Sequence, residues 1–309
     1  MKNGIWAAPF QKNALSAAVC LGLIVAASNA QAAVLTAGAA VDLQTAATVS
    51  TTATDPAWVS VGEYESDATG QGFASGSGSD DGFMFSRASG DGFFSAEGYI
   101  QQTVEFTNTS GIAQNYFFDF TINNGALSTY NYVPLLAGEY VQAGNTVAIQ
   151  LNGADIYTSN ATLLTDDTGS SLTTTGSVLG SYTAGSDYYS WGTYSGTLDL
   201  GVFNPGESFL LEYDIFTFAD SNVDRLDSGY GECGYGGWGG DELWLVEECG
   251  GWFVTSAGSR FGDPNGISGM PINPTTVTST SVPEPGLLFL LGGGVAGLAF
   301  ARRNRARKG

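Results

Sequence analysis

The chain has 309 residues, a formal net charge of −20, 44 glycines and no histidine. The missing histidine excludes Ser-His-Asp and Cys-His catalysis and removes the commonest zinc ligand. All acidic residues but Glu284 fall within 33–281, where Arg87, Arg225 and Arg260 are the only basic ones, so this region repels nucleic acid and anionic lipid.

Residues 1–32 are organised as a secretory signal peptide. Lys2 and Lys12 precede or flank a small, apolar run over 14–27, and Ala30-Gln31-Ala32 is a small-x-small cleavage site that leaves Ala33 as the new N-terminus. The run is shorter than the ~20 residues of a bilayer span. Export by this route implies the secretion translocon and a signal peptidase as partners. Cys20 follows Val19 rather than a small residue, which argues against lipid attachment.

Residues 33–256 read as one all-β domain outside the cytoplasm. Its Ala/Thr-rich start, 33–54, predicts an edge strand or a loose arm. Ile100, Gln102, Val104 and Phe106 alternate with polar residues, and Tyr116, Phe118, Phe120 and Ile122 repeat the pattern. The Asn108-Thr109-Ser110-Gly111 turn between them predicts an antiparallel hairpin. Further strands are predicted at Val147-Ile149-Leu151, over 188–200 and over 207–218. In the last, Phe209, Leu211, Tyr213 and Ile215 alternate, whereas Phe216 and Phe218 fall on the opposite parity, as a bulge or a strand buried on both faces would produce. Asp81-Gly82-Phe83 and Asp91-Gly92-Phe93 read as hairpin turns. The fold class is therefore an antiparallel β-sandwich, jelly-roll-like or Ig-like, whose inner faces bury the alternating aromatics. Residues 257–281, with Pro271, Pro274 and a Thr/Ser run, predict a flexible stalk.

Little in this body carries chemistry. Lysine is absent from it, which excludes Schiff bases, and no phosphate-binding loop follows a strand. Cys233 and Cys249 are an even pair in an oxidising compartment, and they predict a disulfide worth roughly 3 kcal/mol in the chain-entropy model. Paired carboxylates alone would serve a glycoside hydrolase, but the body reads as non-enzymatic. Asp220, Asn222, Asp224 and Asp227 place oxygen ligands at close spacing in one expected loop, as calcium prefers. Arg225 stands where an EF-hand needs glycine, however, and no glutamate occupies the twelfth place, so an unoccupied acidic turn is the other reading. No other cofactor is implied. In the Gly-rich segment 229–252, Tyr235, Trp238, Trp244 and Trp252 either stack on sugar rings, as in a carbohydrate-binding module, or cap the core. Asn108 and Asn160 fit the glycosylation sequon.

The C-terminal region carries the most specific signal. Val282-Pro283-Glu284-Pro285 forces an extended approach to 286–301, which has no charged residue. As a transmembrane helix this segment is ~24 Å long, a little under the ~30 Å hydrocarbon core. Arg302, Arg303, Arg305, Arg307 and Lys308 follow, so the tail sits in the cytoplasm and the acidic body outside. This order of elements resembles the PEP-CTERM sorting signal, the substrate tag of exosortases. The resemblance is confined to 282–309. It implies that an integral-membrane cysteine protease-transpeptidase processes the chain near Pro283–Pro285, and that the protein belongs with extracellular polysaccharide or biofilm. The expected course is export, tethering at the inner membrane, then transfer to the cell surface or matrix. The tag implies nothing about the fold or ligand of residues 33–281.

Overall fold

A computed structural model describes residues 33–43, 48–80, 82–224, 226–227, 252–262 and 277–281. Alternating apolar and polar side chains along Ser-, Thr- and Gly-rich segments favour pleated strands, and strands are the only regular elements among the described residues. In chain order they are β1 (Val34–Asp42), β2 (Val49–Asp55), β3 (Trp58–Ser66), β4 (Gly70–Ser79), β5 (Met84–Thr107), β6 (Gln114–Ile122), β7 (Gly125–Asn131), β8 (Tyr140–Leu151) and β9 (Ala154–Asp166). There follow β10 (Gly169–Gly176), β11 (Tyr188–Trp191), β12 (Tyr194–Phe203), β13 (Ser208–Asn222), β14 (Leu226–Asp227), β15 (Trp252–Phe253), β16 (Thr255–Phe261) and β17 (Val277–Ser281).

β5 organises them. Its C-terminal part pairs with β13 on one edge and β1 on the other, from Thr107↔Ser208 to Phe93↔Asn222 and from Thr103↔Val34 to Ser95↔Asp42. Its N-terminal part pairs with β16 and β4. The strand bends at Gly90-Asp91-Gly92, where Gly92 has φ 72°, a conformation that costs glycine little. The bend brings the two parts face to face: a Cβ on Gly98 would lie 2.6 Å from the carbonyl oxygen of Arg87. The first layer continues past β13 through β8, β9 and β10, and the second past β16 through β7 and β11. The result is one twelve-stranded, antiparallel, nearly closed barrel-like sheet that doubles back on itself.

The interior has two regimes. Where the halves of β5 face each other, β4 turns Gly70, Gly72, Ala74, Gly76 and Gly78 inward. There the layers approach so closely that a Cβ on Gly76 would overlap the carbonyl oxygen of Tyr99, well inside the usual ~10 Å between sheets. Hydroxyl pairs join the layers, Ser86 with Thr217 at 2.7 Å, Thr129 with Thr165 at 2.7 Å and Ser221 with Thr255 at 3.1 Å. Elsewhere the three-stranded sheet β12-β6-β17 covers the interior with aromatics. Tyr116 lies 5.3 Å from Phe209, edge to face, and Phe203 stacks on Phe209 at 4.3 Å.

The all-β class and the antiparallel pairing agree with the sequence, and the two facing layers belong largely to one bent sheet. Several local expectations are corrected. The strands over 100–107 and 116–122 exist but do not pair with each other; β5 and β6 lie in different sheets. They meet instead through Phe209 of β13, on which Phe106 packs at 5.2 Å and Tyr116 at 5.3 Å between ring centroids. Asn108 makes the crossing, its buried amide donating to Ile112 O at 2.9 Å and Phe203 O at 2.8 Å, so its sequon is inaccessible. Phe216 and Phe218 need no bulge, because β13 runs in unbroken register with β5. The first segment is no loose arm, since β1 is an interior strand and β2 its outer neighbour. Gly82, with φ 114°, serves the β4–β5 turn, whereas Gly92 serves the β5 bend. Of the stalk expected over 257–281, residues 257–261 and 277–281 are strand: Ala257, Phe261 and Val277 are buried, and β16 and β17 pair with β5, β7 and β6. Residues 1–32 and 282–309, with the expected signal peptide and membrane helix, lie outside the described residues.

The thin region gives a matched test. Gly76→Val should cost at least about 3 kcal/mol or abolish folding, because neither backbone can yield. Gly62→Ala on β3, whose nearest neighbour would be 3.6 Å away, should stay within about 0.5 kcal/mol of the parent. Urea unfolding of both variants measures the difference.

Candidate functional site

Side chains alternate across the long layer, so the odd-numbered residues of β5 and the even-numbered ones of β13 face outward. The register then builds rows across three strands. Tyr99 stands opposite Phe216, with Thr146 of β8 beyond it; Glu97 stands opposite Phe218, with Gly144 beyond. Gln101 faces Asp214, and Ser95 faces Asp220 with Gln142 beyond. A Cβ on Gly38 would overlap the Tyr99 ring, and one on Gly144 would overlap the Phe218 ring. Both rings therefore lie over glycine backbone instead of standing up from the sheet. Phe216 sits beside Phe218, with ring centroids 6.2 Å apart and planes at 32°. Together the three rings form a half-buried aromatic platform.

Carboxylates and amides flank it. Asp220 accepts a hydrogen bond from Gln142 Nε2 at 3.0 Å, and its buried Oδ1 has no hydrogen-bond partner among the described residues. Burial pushes this carboxyl above the ordinary range, Gln142 pulls it part of the way back, and Glu97 adds repulsion. Burial likewise raises Asp214, opposed by the Gln101 hydrogen bond and assisted by Glu212 and Asp155. Aromatic faces beside paired acids and amides offer a stacking surface together with donors and acceptors for hydroxyl groups.

The residues singled out from the sequence fall differently. Asp220 and Asn222 belong to the last turnless stretch of β13, where a ligand loop had been expected. Asn222 is committed to backbone: its Oδ1 accepts from Tyr140 N at 2.7 Å and its Nδ2 donates to Gly138 O at 2.8 Å. Asp224 is exposed beyond the strand, and Asp227 pairs with Trp252 in the β14–β15 ladder. The acidic cluster is thus drawn out along the chain, and among the described residues no group of three or more His, Cys, Asp or Glu side chains could hold a metal ion. Cys233, Cys249, Tyr235, Trp238 and Trp244 lie outside the described residues, as do Val282, Pro283, Glu284, Pro285 and the basic tail. The Tyr99–Phe216–Phe218 platform escaped the sequence reading. Its one visible trace was the second parity of Phe216 and Phe218.

Residues 281–305 match the model of the PEP-CTERM protein-sorting motif. The chain carries the sorting tag of exported proteins that an exosortase, a membrane protease, processes. Ser281 is at once the first residue of that match and the last of β17. No characterised protein and no solved structure matches the chain.

Asp220 supplies a pH test. Its carboxyl is raised in the folded state, so its favourable contribution is complete below the ordinary carboxylate value and is lost as pH rises through the folded one. Asp220→Asn should therefore raise the melting temperature at pH 7, and the gain should vanish near the acid end of a thermal-melt series. A gain that persists undiminished in acid would rule out the titration of Asp220 as its cause.

Proposed function

We propose that this is a non-enzymatic protein of the cell surface or extracellular matrix, sorted by an exosortase, whose β body holds extracellular polysaccharide. The observation that carries the reading is the platform of Tyr99, Phe216 and Phe218 between the acid–amide pairs Asp214–Gln101 and Asp220–Gln142. Sugar rings present one C–H-rich face and a rim of hydroxyls, and the platform offers a partner for each. Its side chains come from central strands locked by pairing on both edges, a rigid setting that limits the entropy lost on binding.

The same geometry favours binding over hydrolysis. A glycosidase sets two carboxyls about 5–9.5 Å apart across the scissile bond. Asp214 and Asp220, the two carboxyls raised by burial, are six residues apart on one strand, which is about 20 Å at 3.3 Å per residue, and the acids nearer to each, Glu212 and Glu97, project from the same sheet face instead of across a cleft. Sorting and binding then divide along the chain. The tag brings the body to the outer side of the membrane, and with β17 ending at Ser281 the cut near Pro283–Pro285 falls directly beside the folded sheet.

Two measurements test this. In affinity electrophoresis through gels containing the producing cell's own polysaccharide, the protein should be retarded, and the Phe216→Ala/Phe218→Ala double variant should lose at least tenfold in affinity while still melting cooperatively. Equal retardation of parent and variant would sink the platform as the site, and release of reducing ends from the polysaccharide would sink the non-enzymatic reading. Separately, intact-mass analysis of the exported protein should show a chain starting at Ala33 and lacking Arg302 to Lys308. Pro283→Ala/Pro285→Ala should retain that tail in the membrane fraction.

A further inference from the structure

Arginine is scarce in this body, yet the two described arginines stand side by side. Arg87 on β5 and Arg260 on β16 are direct cross-strand partners in the second layer, which places their Cα atoms about 5 Å apart. Like charges in that arrangement destabilise a sheet, and among the described residues neither guanidinium has a carboxylate partner. Arg87 is fixed instead by the Phe73 ring, whose centroid is 5.2 Å from its guanidinium carbon. Burial and the charge of Arg260 both weaken its hold on its proton. The surrounding positions on this outer face are small or hydroxyl-bearing: Ser75 and Ser89 to one side, Gly258, Ala126 and Ser190 to the other. Tyr64 and Tyr188 are 58 % and 40 % exposed and lie one row away at opposite edges. Two acids border this part of the face: Asp91 is held by the amide of Gln71, and Asp187 lies toward Tyr130.

We propose that the Arg87–Arg260 pair and the hydroxyl-rich sheet face around it dock a carboxylated polysaccharide, a polyuronate strand laid across β4, β5, β16 and β7. A carboxylate between the two guanidiniums accepts paired hydrogen bonds from planar forks and cancels the repulsion that the fold otherwise sustains. Exposed tyrosines at both edges receive the sugar rings on either side, and the serines meet their hydroxyls. Charge complementarity selects this occupant. An apolar protein partner finds no groove here, and a polyphosphate, although it carries the charge, has no sugar rings for Tyr64 and Tyr188 to receive. The inference rests on the polysaccharide reading above, but assigns a different face and a charge requirement.

The test uses the full-length protein in detergent, with polygalacturonate and its fully methyl-esterified form as probes in affinity electrophoresis. The parent should be retarded by polygalacturonate at least tenfold more strongly than by the ester. Arg260→Gln and Arg87→Gln/Arg260→Gln should lose that preference while melting at the same or a higher temperature, since a like-charge pair has been relieved. Retention of both probes equally, unaltered by the arginine variants but lost in Phe216→Ala/Phe218→Ala, overturns this proposal and leaves the platform reading standing. Retention of neither probe overturns it as well, and with a lowered melting temperature in Arg260→Gln it shows that the pair's counter-anion lies within the chain.

Discussion

The constraint on which the structure depends is the close approach of the two halves of β5. A single strand of 24 residues is too long to lie in one flat layer, and the bend at Gly90-Asp91-Gly92 folds it over its own backbone. That contact is possible only where neither layer projects a side chain, and it accounts for a row of glycines and one alanine, every second residue, along β4. Once the halves of β5 are in place, the rest follows by pairing. β13 and β16 continue one edge, β1 and β4 the other, and each recruits its own neighbours. Little apolar area is buried in the thin region, so layer-spanning hydroxyl pairs and backbone ladders carry much of its cohesion. The aromatic half of the interior supplies the hydrophobic term that the glycine half forgoes.

The same shortage of inward volume shapes the outer surfaces. Aromatics that would ordinarily fill a core are placed outside, over glycines whose missing Cβ gives them a seat: Tyr99 on Gly38 and Phe218 on Gly144. Such pairing shields otherwise bare strand backbone and leaves one ring face toward solvent. The platform is thus a by-product of the sheet's own stability, placed where acids on neighbouring rows are partly desolvated. The second layer differs in kind, with serines, small residues and the two guanidiniums on its outer face. One protein accordingly presents two chemically distinct sheet faces, one aromatic and acidic, the other hydroxylic and locally basic.

Period-two alternation was enough to read the class and the strands that carry the clearest apolar faces, among them parts of β5, β6, β8 and β13, because each buries one face and solvates the other. Pairing was harder to read. The 100–107 and 116–122 runs were correctly seen as strands, and the Asn108 turn as a turn, yet whether a turn returns a strand beside its neighbour or across from it depends on which distant strand claims the first edge. Here β13 and β1 claim both edges of β5. The platform was illegible for the same reason, since Tyr99 meets Phe216 only through a register set between residues more than a hundred positions apart. The supposed stalk misled because Ser, Thr and Gly serve equally as linker and as thin-sheet material. The sorting tag, by contrast, is a contiguous run of composition and order, and needed no tertiary information to be recognised.

The long-range pairing also bears on how such a chain can be exported. β5 is completed by β16, with Ser86 bonded into register with Phe261, and β6 is completed by β17, with Phe118 beside Val277. Contacts at such separation form late, after the loop-closure entropy has been met. A chain threaded from its N-terminus therefore cannot complete the twelve-stranded sheet until residue 261 has emerged, nor the three-stranded sheet until residue 281 has, and residue 281 is where the sorting motif begins. The last strand thus becomes available to fold only as the sorting tag itself begins to emerge. Closure of the β12-β6-β17 sheet therefore waits on the residue that opens the sorting motif. The aggregation-prone edges of β5 and β6 are covered by β16 and β17, strands that both precede the tag's Pro283 in the chain.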